Sequence, residues 1–402
     1  MSKDFMQETL EKYIENQEIA GAVIKVRKDG KLVYDGSFGY ADIEKKIPVN
    51  DRTIFRLASM SKPVTAIAVL QLIESGKIGL YEEVKKYLPE YTRMKVCAEK
   101  LNPADYEPDP DNPTNAGVDD AVRKNMKYVP SDRDLTIFDL LNHSSGLGMG
   151  PIGCSILEEV KERNDSIRDR ARKYAALPLD FQPGTASGYS AVANFEVLAA
   201  VIEAASGEDF YDYLKKHMFE PMNITDLTFD PDEDQLRRMS RLYEYVEDDH
   251  LVDVTDTDPI WLRMDPVITH YYSAAAGLLG SIEEYEKIAH MLLNKGEFEG
   301  RQILKPESVE MMAGKGISHE ARLFPPIFWG LGVSVMDMPE VLHSSRAKGS
   351  FGWSGAYGTH MVVDPSNNLE FVLGVNRSNI GGAGSYVSFA CEDAVKAMYI
   401  NK

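Results

Sequence analysis

Long apolar runs are missing from this chain: no stretch of 18 or more apolar residues occurs in its 402 residues, which excludes a membrane-spanning helix. Cysteine is scarce. Cys97, Cys154 and Cys391 are an odd number, far apart and outside any Cys-x-x-Cys pattern, so free buried thiols in a reducing compartment are expected. Positive charge is in deficit as well, with 44 Lys and Arg against 63 Asp and Glu and a net charge of −19. The basic clusters Lys45-Lys46, Lys85-Lys86 and Arg168 to Lys173 are short and interleaved with acids. Neither nucleic acid nor an anionic membrane is therefore an expected partner.

Recurrent chemical motifs are absent too. The eight His residues form no zinc motif, because Leu323 stands where the second His of the string begun by His319-Glu320 would be. Asp109-Pro110-Asp111 fails as a calcium loop, since Thr114 occupies the position that needs Gly. No Gly-x-Ser-x-Gly elbow and no Walker loop is found. No metal and no cofactor is expected. Met1 to Ala20 is too charged for a secretory signal, so a cytoplasmic location is expected.

What the chain does have is a large apolar fraction, 44%, and a clear ordering of patterns. A helix over Asp4 to Asn16 precedes two strand-like runs, Gly21 to Val26 and Lys31 to Gly39, joined by the hairpin dipeptide Asp29-Gly30. Strands recur at Trp329 to Met336, Thr359 to Val363 and Leu369 to Val375, and a helix over Gly384 to Tyr399 closes the chain. Between them the pattern is helical: Leu135 to Asn142, Ile156 to Ala176, Ser190 to Ser206 and Asp209 to Met218. The simplest packing is an α+β fold. An antiparallel sheet flanked by helices takes residues 1–85 and 270–402, and a mainly helical lobe, 86–269, is inserted between them, with an acidic, Pro-rich excursion at 101–134. A site is expected in the cleft between the lobes.

Ser-x-x-Lys occurs twice. Ser345 to Lys348 lies in a Gly- and Ser-rich loop, whereas Ser59 and Lys62 open an amphipathic helix that Gly76 would end. Spacing of i, i+3 puts Ser59 and Lys62 on one face, where a desolvated lysine can take the serine proton. An ordinary N-capped core helix with a solvated Lys would carry the same letters.

Four segments, in this order, decide between those readings: Phe55 to Lys62, Leu140-Leu141-Asn142-His143-Ser144-Ser145-Gly146-Leu147, Gln182-Pro183-Gly184 with Gly188-Tyr189-Ser190, and Gly352-Trp353-Ser354-Gly355-Ala356-Tyr357-Gly358-Thr359. Together they resemble the serine β-lactamase and penicillin-binding-protein superfamily, and most of all class C β-lactamases and family VIII carboxylesterases. The resemblance implies a β-lactamase/transpeptidase-like fold and a serine hydrolase working through an acyl-enzyme. It makes Ser59 the acylated serine, Lys62 its proton partner and Tyr189 a shared general base. A phenol gives up its proton at neutral pH only beside a cation, and Lys62 would be that cation. The N–H groups of Ser59 and Ala356 would form the oxyanion hole, with Trp353, Ser354 and Gly355 contacting substrate.

Two departures from the family pattern matter. The tyrosine motif of class C enzymes, Tyr-x-Asn, is here Tyr189-Ser190-Ala191, and Asn194, one turn on, is the candidate to replace the amide. Lys-Thr-Gly is here Trp353-Ser354-Gly355, and Trp cannot attract a carboxylate. The expected function is a carboxylesterase on small to medium neutral esters. A β-lactamase, a D-amino-acid amidase or peptidase, an acyltransferase, and a catalytically silent binding protein of the same fold are the alternatives. Each implies a small-molecule ester or amide partner; oligomeric state is not legible. His143 is expected to be structural, and Tyr271, Tyr272, Phe328 and Trp329 are candidates for an acyl pocket.

Overall fold

In the computed structural model, described for residues 4–98, 108–109, 112–116, 125–149, 152–153, 162, 165–246, 250–259, 262, 265–314, 322–324, 326–382 and 385–400, the strands of the two chain ends share one sheet. The N-terminal strands are β1 (Gly21–Lys28), β2 (Lys31–Asp42) and β3 (Ile47–Pro48). The C-terminal ones are β4 (Arg322–Phe324), β5 (Ile327–Trp329), β6 (Ser334–Met336), β7 (Phe351–Ser354), β8 (His360–Asp364) and β9 (Leu369–Val375). Their order is β4-β5-β6-β7-β8-β9-β1-β2-β3, antiparallel throughout. Asp29 and Gly30 both take positive φ, 52° and 74°, the conformation that matches the right-handed twist of the hairpin they close.

Helices cover both faces. On one lie α1 (Phe5–Glu15) and the C-terminal helix, here α7 (Tyr386–Tyr399), burying Met6, Leu10, Val387 and Cys391 against Ile24, Val26, Phe371 and Leu373. On the other lie α2 (Ser61–Glu74) and α6 (Ile282–Leu293), which join a larger core continuous with the helical region: α3 (Ile137–Leu141), α4 (Ile167–Tyr174) and α5 (Ala193–Ser206). This is the β-lactamase/transpeptidase-like α+β fold.

Some expectations are corrected by the packing. Trp329 to Met336 is not one strand but the facing ends of β5 and β6, because Gly330 to Val333 turn the chain, with Gly332 at φ 75° against Ala66 of α2. The helix after Ser59 is not amphipathic: residues 61–70 are all buried, so it runs through the core between sheet and helical region. Residues 209–218 split into a short helix, Phe210–Leu214, and a π turn, Lys215–Phe219. Of the 101–134 excursion, residues 108–109 pair with 112–116, and Tyr128–Pro130 pairs with Lys95–Cys97. The Pro110-Asp111 step of the rejected calcium loop, Cys154, the His319-Glu320 string and residues 156–161 of the expected helix lie outside the described residues. Cys97 and Cys391 are buried, and among the described residues neither is in a disulfide. Among the described residues no helix is long and apolar enough to cross a membrane.

Candidate active site

Ser59 does not sit in the α-helix itself but in a single 3-10 turn, Ala58–Met60, that leads into α2. Ala58 is forced to φ 46°, an unfavourable region for a residue with a Cβ. Two bonds hold this turn: Ser61 Oγ donates to Ala58 O (2.7 Å) and accepts from the Leu278 N–H (3.0 Å). Ser59 is presented at the start of a rigid, buried helix and remains partly exposed.

Lys62 is only 1% exposed, and its Nζ is bonded three times: to Ser59 Oγ (3.1 Å), Ala191 O (2.7 Å) and Ala275 O (3.0 Å). Among the described residues no carboxylate pairs with it. Its charge rests on the two carbonyls and on the ring faces of Tyr189 (5.0 Å to the centroid) and Phe195 (5.6 Å). Three acceptors match the three N–H groups of an ammonium. Nothing in the sequence announces the two carbonyls, because any residue supplies one.

Tyr189 reaches Ser59 from the helical side, Oη to Oγ at 2.8 Å. Its loop is tied to the His143-Ser144-Ser145-Gly146 turn: Gly188 N–H donates to His143 O (3.1 Å), Gly184 N–H to Ser144 O (2.8 Å), and Ser190 N–H to His143 Nδ1 (3.2 Å). Burial, with Lys62 nearby, holds the His143 pKa well below the usual imidazole value. A neutral ring accepting at Nδ1 carries its proton on Nε2, which has no hydrogen-bond partner among the described residues and lies among the Trp329, Tyr189 and Phe195 rings (4.2, 5.1 and 5.6 Å between centroids).

Trp353 and Trp329 complete an aromatic wall. Trp329 stacks on Tyr189 (5.6 Å, 12°), and Trp353 packs against Tyr189 (5.3 Å) and Trp329 (4.7 Å). After Trp353 the strand turns tightly, with Gly355 N–H donating to Thr359 O (2.7 Å). A Cβ on Gly355 would stand 2.3 Å from Leu57 O, and Thr359 Oγ1 donates to that same oxygen (3.1 Å). This close approach places the strand end against the segment that carries Ser59. Within residues 351–360 only Ala356 escapes full burial, which suits an N–H offered to a substrate oxygen.

The structure thus brings Ser59, Lys62, Tyr189 and Trp353 together and sets Gly355, with Ala356 next in the chain, against the segment that carries Ser59. Asn194 is a different case: it is wholly buried, Nδ2 donating to Leu140 O (3.0 Å) and Oδ1 accepting from Ser145 Oγ (2.7 Å), so its amide is used up in holding the turn to α5. Ser354, next along the strand from Trp353, bonds His360 Nδ1 (2.7 Å) instead of turning to Ser59. Of the acyl-pocket candidates, Trp329 reaches the site. Tyr271 is a buried donor to Glu196, Tyr272 packs on Tyr211 and Phe229, and Phe328 packs on the main core. The second Ser-x-x-Lys pair is not a pair, since Lys348 bridges to Asp337 (3.2 Å) and Ser345 donates to Asp393.

This arrangement has relatives along the whole chain. Protein Rv1367c of Mycobacterium tuberculosis is 29% identical over 386 residues, covering 92% of this chain and 88% of its own. Esterase EstB of Burkholderia gladioli is 26% identical over 411 residues, 96% of this chain and 92% of its own. The solved structure of EstCE1, described as a hydrolase with promiscuous acyltransferase activity, superposes with a TM-score of 0.78 at 22% identity, covering 97% of both chains. A model of the family described as Beta-lactamase matches residues 6–386, a span that holds the Ser59 turn, the Tyr189 loop and the Gly355 turn alike, and the chain belongs to that family.

Proposed function

We propose that this chain is a carboxylesterase that passes small to medium neutral acyl groups through an ester on Ser59. Ser59 Oγ attacks the ester carbonyl and its proton passes to Tyr189 Oη. The carbonyl oxygen takes the negative charge between the N–H groups of Ser59 and Ala356. Collapse expels the alcohol, which takes back a proton from Tyr189, and water repeats the sequence in reverse to free the acid. The assignment of the base to Tyr189 is supported by the hydrogen bonds of Lys62: an ammonium with all three N–H groups engaged has no lone pair to accept a proton, whereas Tyr189 Oη lies 2.8 Å from Ser59 Oγ.

Neutral esters are favoured by one observation above all: Trp353, 5% exposed and packed on Tyr189, stands where a β-lactam's carboxylate would need a cation. With Asn194 committed to its fold contacts, no side-chain amide replaces the one lost at Ala191 either. A missing charge-assisted hydrogen bond costs about 1.5–3 kcal/mol, roughly ten- to a hundredfold in rate. The expected kcat/KM for p-nitrophenyl acetate or butyrate therefore exceeds that for nitrocefin by at least about a hundredfold. Equal or faster nitrocefin hydrolysis would replace the esterase reading with the β-lactamase one. The aromatic wall of Tyr189, Trp329 and Trp353 favours a second reading, acyl transfer to an apolar alcohol. Ester product formed from p-nitrophenyl butyrate and an added alcohol would measure it.

A further inference from the structure

We propose that His360 and Glu392 are positioning residues for the oxyanion turn, acting through Ser354. This rests on the acyl-enzyme reading above. Ser354 Oγ lies 2.7 Å from His360 Nδ1, and His360 Nε2 lies 3.0 Å from Glu392 Oε1, so strand, neighbouring strand and C-terminal helix are joined in one chain of hydrogen bonds. All three residues are buried, at 5%, 5% and 4% exposure. Ser354 and His360 are cross-strand partners at the last paired position of β7 and β8, the point where the Gly355–Thr359 turn leaves the sheet. With Glu392 Oε1 accepting from Nε2–H, a neutral imidazole accepts the Ser354 O–H at Nδ1, an arrangement that gives the hydroxyl one direction.

Packing alone does not hold these groups. A cavity of about 240 Å³ borders Ser354, His360 and Glu392, between apolar walls that include Met336, Leu342 and Phe389. Beside open space, the place of Ser354 is set by its hydrogen bonds. Burying a carboxylate and an imidazole is costly, and apolar side chains would stabilise the fold more cheaply, so the chain of bonds is best understood as orientation of the strand end. That end carries Gly355 against Leu57, two residues before Ser59, and Ala356, the expected oxyanion donor, follows Gly355 directly. A shift of a fraction of an ångström there misplaces an oxyanion donor, and losing one outright lowers kcat by about 10²–10³.

The test uses the full chain and p-nitrophenyl butyrate. Ser354→Ala and His360→Phe are each expected to lower kcat about tenfold with KM changed less than about twofold, and the double variant to be no worse than either alone. His360→Asn, whose Oδ1 can accept near the Nδ1 position, should recover most of the loss. A partly buried His–Glu pair elsewhere in the molecule, His290 with Glu370 (3.1 Å), supplies the control: His290→Phe should lower the melting temperature but leave kcat within twofold. Folded Ser354→Ala and His360→Phe variants with wild-type kcat would overturn the proposal, as would losses confined to KM or shared by His290→Phe. Absence of ester turnover in the wild type would instead overturn the reading on which it rests.

Discussion

At the scale of single residues, the proposed reaction asks one group to react and its neighbours to keep it reactive. Ser59→Ala should abolish both turnover and covalent labelling by a fluorophosphonate, with the fold intact because one oxygen is lost at a partly exposed position. Intact-mass and peptide mapping should find the adduct on Ser59; an adduct elsewhere would remove it as nucleophile. Tyr189→Phe keeps the ring that stacks on Trp329 and loses only the oxygen 2.8 Å from Ser59. Turnover should fall by on the order of 10²- to 10⁴-fold with little change in binding. A variant within threefold of wild type would make Tyr189 a packing residue. His143 gives a prediction of another kind. Its folded pKa is depressed, so the unfolded chain binds the proton more readily. The contribution is fully present above the unfolded value near 6.5 and is lost as pH falls below it, by up to about 1.4 kcal/mol per pH unit. Melting temperature should decline between pH 7 and pH 5.5, and His143→Asn should flatten that decline.

At the scale of elements, the 3-10 turn at Ser59 and the turn after β7 are two halves of one device, and Gly355 is where they touch. Gly355→Ala would put a Cβ 2.1 Å from Thr359 Oγ1 and 2.3 Å from Leu57 O, and backbone cannot yield as a side chain can. The expected result is a loss of ester turnover of tenfold or more, accompanied by a lower melting temperature; wild-type kcat would show that the two turns are not held in register by this contact. Much of this level was legible in the letters. The Asp29-Gly30 hairpin and both terminal helices could be read because turn residues and apolar spacing are local signals, whereas Ser59, Tyr189 and Gly355 stood out as a set only through the resemblance of four segments to a known family. Asn194 misled because its spacing from Tyr189 is compatible with a substrate amide, while its actual partners, Leu140 and Ser145, lie some fifty residues away. Ser354 misled similarly: the pleat and the His360 opposite it, not the motif, decide where its hydroxyl points. The carbonyls of Ala191 and Ala275 had no signal at all.

At the scale of the molecule, β1 is flanked on one side by its hairpin partner β2 and on the other by β9, with Ala22 paired to Val375. The turn after β7 meets the segment that carries Ser59 across a comparable span, Thr359 bonding Leu57 at a sequence separation of 302 residues. Such contacts cannot form until nearly the whole chain is available, and their loop-closure cost makes them slow. On the ribosome, the first hairpin must wait with one long edge unpaired until the last strands emerge, a window in which it is prone to pair with other chains. Under the proposed function, ester turnover would be a clock for the final step of folding. In refolding from urea, helical signal should return well before turnover does, and fluorophosphonate labelling of Ser59 should track turnover. If activity instead rose together with the first helical signal, the closing of the sheet would not be the late event that this connectivity demands.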